Sequence, residues 1–372
     1  MRTVFLLLFF STALALAQQP ESDASLFKSA VQAQQRGDNQ TAIQDYKKIL
    51  KLHPEMAEIR ANLGAALVHE ERFDEAIAQY RLALSSMPGN DAIRMNLALA
   101  YFKKGDLKNA RSEFEEVRKA QPGNTQLAIL LGDSELRLGQ AADALTMLAP
   151  MEAENASNTD FEYVLGTALI QTGSRREGVD RIEKVAQETN GADAYLLAGS
   201  TLMDLNEFAR ARTDLEAALR LNPNLPRVYV LAGMAQDMDG DIAAAEPTLR
   251  EGLRRSPDDF DGNLYLGSIL YKRRDMADAK IYLDRAIQLK PSNPTAGYEM
   301  AMWDSTSGQY EDAAKILESL VKANPNWLQP HIELASVYYH LHRSEDGAKE
   351  RAIVDKLNAQ QQSEGPPKIQ QP

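Results

Sequence analysis

The sequence predicts an all-helical solenoid of about ten helix-turn-helix units, and three observations carry that prediction. Prolines recur at a fixed interval: Pro54, Pro88 and Pro122 are spaced by 34 residues, and Pro223, Pro257, Pro291 and Pro325 resume the same step. Two ladders of Gly or Ala run through the chain in register with them. The composition is rich in Ala and Leu with few β-branched runs, and 44% of the 372 residues are apolar, which favours helix and suffices for a core.

At the N-terminus, Arg2 precedes an apolar run from Val4 to about Leu16, and Ala15-Leu16-Ala17 leads into Gln18-Gln19-Pro20. A charged start, a short apolar core and a small-x-small exit predict a signal peptide over residues 1–17, cleaved after Ala17. The run is short for a bilayer span, so an uncleaved anchor is the competing reading. Export to the periplasm or the extracellular space is the resulting expectation, with no transmembrane span left after cleavage. Residues 18–22 form a short lead-in. The chain has no cysteine, which removes disulfides, thiolate metal sites and a cysteine nucleophile together.

The first small ladder runs Ala30, Gly64, Ala98, Gly132, Gly166, Gly199, Gly233, Gly267, Ala301 and Ala335. The second lies twelve residues further on, at Ala42, Ala76, Ala110, Ala144, Gly178, Ala211, Ala245, Ala279, Ala313 and Gly347. Every step is 34 except one of 33, which places a single-residue deletion near Asn190 and Gly191. A small residue on each helix of a pair lets the two backbones approach where they cross. One turn beyond the second ladder, Tyr46, Tyr80, Phe114, Leu148, Ile182, Leu215, Leu249, Leu283 and Leu317 supply the bulk that fills the space around the crossing. Gly37, Gly105, Gly139, Gly173, Gly240 and Gly308 fall where the first helix must turn into the second. The periodic proline then ends the second helix, because it cannot donate in a helix interior.

This spacing resembles the tetratricopeptide-repeat (TPR) family, with the best local match at Leu97-Ala98, Tyr101, Ala110, Phe114 and Pro122. The resemblance covers residues 23–357 as ten repeats starting near 23, 57, 91, 125, 159, 192, 226, 260, 294 and 328. It implies an α-solenoid wound as a right-handed superhelix. The sequence departs from the family at the fourth repeat position, where Arg60, Arg94 and Gly297 stand in place of a large apolar residue. Repeats four and five carry Ala156 and Asn190 where the terminal proline belongs, which predicts looser packing there. In the tenth repeat Arg351, with Lys349, Glu350, Asp355 and Lys356 around it, marks a polar capping helix. Residues 358–372, rich in Gln, Pro and Gly, are expected to be disordered.

Lys plus Arg total 41 against 53 Asp plus Glu, a net charge of −12, which argues against nucleic acid as a partner. No phosphate-binding glycine loop, dinucleotide fingerprint, nucleophile elbow or zinc-protease motif occurs. The histidines His53, His69, His331, His340 and His342 do not share a helix face and read as surface residues. No metal, cofactor or catalytic residue is expected, and the repeats leave no room for a catalytic domain.

The family resemblance implies that first helices line a concave groove that contacts other proteins or peptides. Its register places Phe27, Met95, Phe102, Tyr163, Met203, Met234, Met238, Tyr265, Tyr271, Tyr298, Met302 and Tyr339 there, interleaved with Asn62, Asn96, Asp133, Asp204 and Asp237. Asn62 and Asn96 also resemble the start of the asparagine ladder of the O-GlcNAc-transferase TPR superhelix, which stops here after two rungs. The function expected is a non-enzymatic scaffold for protein or peptide binding in the cell envelope. Two other readings stay open: an accessory subunit of envelope biogenesis, export or exopolysaccharide assembly, and an enzyme using a groove carboxylate such as Asp133 or Asp204. The oligomeric state is left open.

Overall fold

The computed structural model describes residues 21–225 and 227–364, and all regular structure among them is helical. The signal segment 1–17, the lead-in through residue 20 and residues 365–372 of the tail lie outside the described residues. Ten helical hairpins follow one another. They pair α1 (Glu21–Gln35) with α2 (Asn39–Leu52), α3 (Ala57–His69) with α4 (Phe73–Ser86), and α5 (Asp91–Lys104) with α6 (Leu107–Ala120). Next come α7 (Thr125–Arg137) with α8 (Ala141–Leu148), α9 (Thr159–Thr172) with α10 (Arg175–Thr189), and α11 (Ala192–Asp204) with α12 (Phe208–Leu221). The last four pair α13 (Val228–Met238) with α14 (Ile242–Arg255), α15 (Phe260–Lys272) with α16 (Met276–Leu289), α17 (Pro294–Thr306) with α18 (Tyr310–Ala323), and α19 (Leu328–His340) with α20 (Ser344–Glu364).

Local sequence sets the helix ends. Asn90, Asn124, Asn158, Asp259 and Asn293 cap first helices, each side-chain oxygen accepting from a backbone N–H three residues on at 2.8–3.1 Å. Asp38, Asp106, Asp241 and Asp275 do the same for second helices. Between the two helices of every repeat one residue is left-handed: the six turn glycines, and Glu71, Asn206, Arg274 and His342 in the other four. α2, α4, α6, α12, α14, α16 and α18 each end two residues before the periodic proline.

The chain divides into two compact units at Thr201 and Leu202, a point inside α11. In the first unit a continuous core runs from Ala30 to Leu169. In the second, apolar clusters extend from Val230 to Trp303 and from Ala301 to Tyr338. The bulky residues one turn past the second ladder, Tyr46 through Leu317, are completely buried in both units. They lie against the small rungs: a Cβ on Gly64 would stand 2.8 Å from the Tyr80 ring, and one on Gly267 would stand 2.8 Å from Leu283.

Three expectations change. The middle repeats are not loose, since a Cβ on Gly178 would stand 2.6 Å from the Gly166 carbonyl oxygen, the tightest rung approach with Gly233. Arg181 also ties Glu162 at 3.0 Å, Glu152 at 2.6 Å and Glu177 at 3.2 Å, bridging repeats four and five where proline is missing. Pro150 stops α8 early, and the chain continues through a tight 3-10 turn (Ala149–Met151) into a one-turn helix at Glu152–Asn155. At the two ends, α1 already opens at Glu21, inside the expected lead-in, and α20 runs through Glu364, into the segment expected to be disordered from 358. Leu357, on that last helix, is buried, which gives its C-terminal part an anchor.

Candidate functional site

First helices touch side by side at α3 with α5, α7 with α9, and in turn from α13 through α19, so the outward positions of these neighbours share a face. In the first unit that face carries a linked group on α5, α7 and α9. Phe102 meets Phe114 of α6 edge-on at 6.3 Å, and the Arg137 guanidinium lies over the Phe102 ring at 5.3 Å. Arg137 also reaches Asp133 at 3.7 Å. Burial pushes the Asp133 carboxyl up against the pull of Arg137. Tyr163 is half-buried, and burial together with Asp193 and Asp133 raises its hydroxyl. Phe27 and Met95 pack against the core below.

Asn62 and Asn96, expected to contact a partner, are instead enclosed by packing. They are 3% and 2% exposed. α3 is buried along the whole stretch from Ala61 to Val68, so its sixth position points into packing rather than toward a partner. The Asn62 Nδ2 has no hydrogen-bond partner among the described residues. Met203 is half-buried and Asp204 exposed at the end of α11.

The second unit presents a denser set. Tyr265, Tyr271 and Tyr298 are each partly buried against apolar neighbours. The Tyr271 hydroxyl lies 2.8 Å from Thr306 Oγ1, and the Tyr298 ring lies 5.4 Å from Trp327. Met234 packs on the core, Met302 and Asp237 are half-buried, and Met238 is exposed. Tyr339 is 39% exposed, but its ring covers Gly347 in its own hairpin.

Carboxylates surround these tyrosines: Asp237, which the sequence reading placed here, and Asp261, Glu299 and Glu333, which it missed. Burial raises the Tyr265 hydroxyl, with Asp261 and Asp237 adding to the rise. Glu333 and Glu299 act the same way on Tyr298, again after burial. Glu333 accepts from Ser305 at 2.7 Å. Burial pushes the Glu299 carboxyl up, opposed by a hydrogen bond from Ser268 and the charge of Lys272. The signal was available: Tyr265, Glu299 and Glu333 occupy one repeat position at 34-residue spacing. Arg227 is held by Asp259 at 3.2 Å and by Asp261.

The histidines divide differently from the surface reading. His331 is buried, with Nε2 3.0 Å from the Pro325 carbonyl and Nδ1 2.6 Å from Glu350. His340 stacks on Tyr310 at 4.4 Å, and His342 supplies a left-handed turn. Among the described residues no group of three or more His, Cys, Asp or Glu is placed to hold a metal ion. No helix among them is long and apolar enough to cross a membrane.

Comparison with known proteins gives one consistent family. A TPR-repeat thioredoxin of Arabidopsis thaliana, TTL4, is 31% identical over 87 residues, which is 23% of this chain and 13% of that protein. The chain therefore spans about an eighth of that relative's length. Among solved structures, PilF of Pseudomonas aeruginosa aligns with 20% identity over 60% of this chain and 97% of its own, at a TM-score of 0.48. YrrB, described as a TPR protein with an unusual peptide-binding site, aligns with 24% identity over 52% of this chain and 97% of its own, at 0.43. Tetratricopeptide-repeat family models match residues 67–134 and 270–337, residues 27–91 and 230–294, and residues 192–225. With those matches spread over both units and the small-residue ladders packed as the repeat requires, the chain belongs to the tetratricopeptide-repeat family.

Proposed function

We propose that this protein is a non-enzymatic scaffold in the cell envelope that holds an extended protein segment on the first-helix face of its second unit. The observation that carries the reading is the row formed by Tyr265, Tyr271 and Tyr298 with Asp237, Asp261, Glu299 and Glu333. Tyrosines with an apolar body and a polar tip supply contact area at small entropic cost. Carboxylates beside them favour a segment bearing Lys or Arg, in keeping with the −12 net charge. The aromatic and acidic side chains here are held by neighbours rather than aimed at a common reacting atom, which supports binding over catalysis. The N-terminal segment 1–17 supports export, and a mature chain beginning at Gln18 is the expected product.

Affinity capture with the mature chain tests this reading. A partner retained by the native protein should lose about tenfold or more in affinity on Tyr265→Ala with Tyr298→Ala, as expected for truncating aromatic anchors. Retention unchanged by that double substitution would place the partner elsewhere.

A further inference from the structure

The fourth position of the first helix has a recurring job in this array. Arg60 donates to the Pro54 carbonyl at 2.7 Å and to Gln79 at 3.1 Å. Arg94 donates to the Pro88 carbonyl at 3.0 Å and to Glu113 at 2.7 Å. Glu162 accepts from Arg181, and His331 bridges the Pro325 carbonyl and Glu350. The partners stand six residues before and nineteen after, so this side chain closes the seam between successive second helices. In the ninth repeat the position is Gly297, and the residue nineteen further on is Ile316. A Cβ on Gly297 would meet only Leu320 and Ile316 side-chain carbons, at 3.6 Å or more. The seam is open there as a cavity of about 950 Å³ between α16 and α18, within the size range of ligand pockets.

The floor of the cavity is apolar, formed by Ile287, Met300, Ile316 and Leu320. Its rim holds two self-contained ion pairs: Lys280 lies 3.0 Å from Asp284 on α16, and Lys315 lies 2.8 Å from Asp312 on α18. One charge is left over. Asp304, on α17, is 6% exposed and lines the cavity, and its carboxyl makes no hydrogen bond or ion pair among the described residues. In other repeats this position reaches a partner twenty residues earlier, as Tyr338 does to Glu318 at 2.8 Å and Gln236 to Glu216 at 2.9 Å. For Asp304 that residue is Asp284, another carboxylate, which can donate nothing. Burial pushes the Asp304 carboxyl up to about 6, with Asp312 and Asp284 adding to the rise and Lys280 opposing it. No described side chain donates to it, and Lys280, the cation that acts on it, is already paired with Asp284.

We propose that this cavity binds an organic monocation with an apolar body, its protonated amine against Asp304 and its hydrocarbon on Ile287, Met300, Ile316 and Leu320. A bare metal ion is disfavoured by the donor set, since no cluster of three or more ligating side chains converges there. None of Tyr265, Tyr271 and Tyr298 lines this cavity, and the proposal does not depend on the reading of that row.

Titration calorimetry on the full chain at pH 7.5 tests the proposal with three matched probes: phenethylammonium, phenethyl alcohol and phenylacetate. The cation should bind at least about tenfold tighter than the alcohol, the advantage of a charge-assisted hydrogen bond, and phenylacetate should not bind measurably. Asp304→Asn should erase the preference for the cation while leaving alcohol binding unchanged. Gly297→Leu should cover the apolar floor beside Ile316 and Leu320, weaken binding of the cation and the alcohol alike, and leave the melting temperature no lower than wild type. Absence of cation binding, equal affinity for cation and alcohol, or a cation preference that survives Asp304→Asn would overturn the proposal. Should Gly297→Leu fail to fold, the Asp304→Asn comparison decides alone.

Discussion

Gly178→Ala measures how much the small-residue ladder contributes. The new Cβ would stand 2.6 Å from the Gly166 carbonyl oxygen and 2.8 Å from the Ile170 backbone nitrogen, so the obstacle is backbone on two sides and no rotamer change relieves it. Restoring ordinary contact near 3.4 Å requires α9 and α10 to separate by about 0.8 Å, which loosens the packing of fully buried Ile182. Overpacking of this kind costs about 1–3 kcal/mol, and replacing Gly in a helix interior returns up to about 1 kcal/mol, leaving a net loss of about 2 kcal/mol at the rigid end of that range. Gly297→Ala is the control: its Cβ finds 3.6 Å of room, so only the propensity gain of about 1 kcal/mol remains. Urea unfolding of both variants by circular dichroism, with hydrogen exchange of the α9–α10 peptides to localise the effect, should show opposite signs. A neutral or stabilised Gly178→Ala would refute the argument that the ladder exists to let backbones touch.

Other consequences follow from buried charge and backbone strain. Burial pushes the Glu135 carboxyl from 4.5 up to about 7, so the folded state holds a proton that the unfolded state has released, and stability falls as pH rises through that window. Glu135→Gln should therefore raise the unfolding free energy measured in urea at pH 8 by up to about 3 kcal/mol and make no difference below pH 4.5. Arg181→Ala strands the buried Glu162 carboxylate and should cost about 2 kcal/mol by urea unfolding, with exchange protection lost first across repeats four and five. Arg274 holds a left-handed turn that glycine holds in six other repeats, and Arg274→Gly should gain about 1 kcal/mol in the same assay.

Much of the fold was legible because the repeat writes its packing into single positions. Gly178 and Gly166 could be named as a crossing from their spacing alone, since only small residues permit that approach. Legibility ended where a side chain's surroundings come from a neighbouring repeat. Asn62 and Met95 sit on adjacent first helices, yet Asn62 is enclosed while Met95 is only partly buried. Glu299 and Glu333 occupy the same repeat position as Asn62, but there the neighbours leave them beside Tyr298. His331 reads as a surface residue until Glu350 and the Pro325 carbonyl close over it. Pro150 was in plain sight, but the register of small residues continued across it and masked the break in α8.

The family places the chain among interaction scaffolds, and its central claim concerns which face holds the partner. Site-specific photocrosslinking in the native host tests it most directly, with the crosslinker at Tyr298 on the first-helix face and, as control, at exposed Glu311 on α18. A discrete protein adduct at 298 that is absent at 311 is the predicted result. Adducts of equal yield at both positions, or at 311 alone, would contradict it.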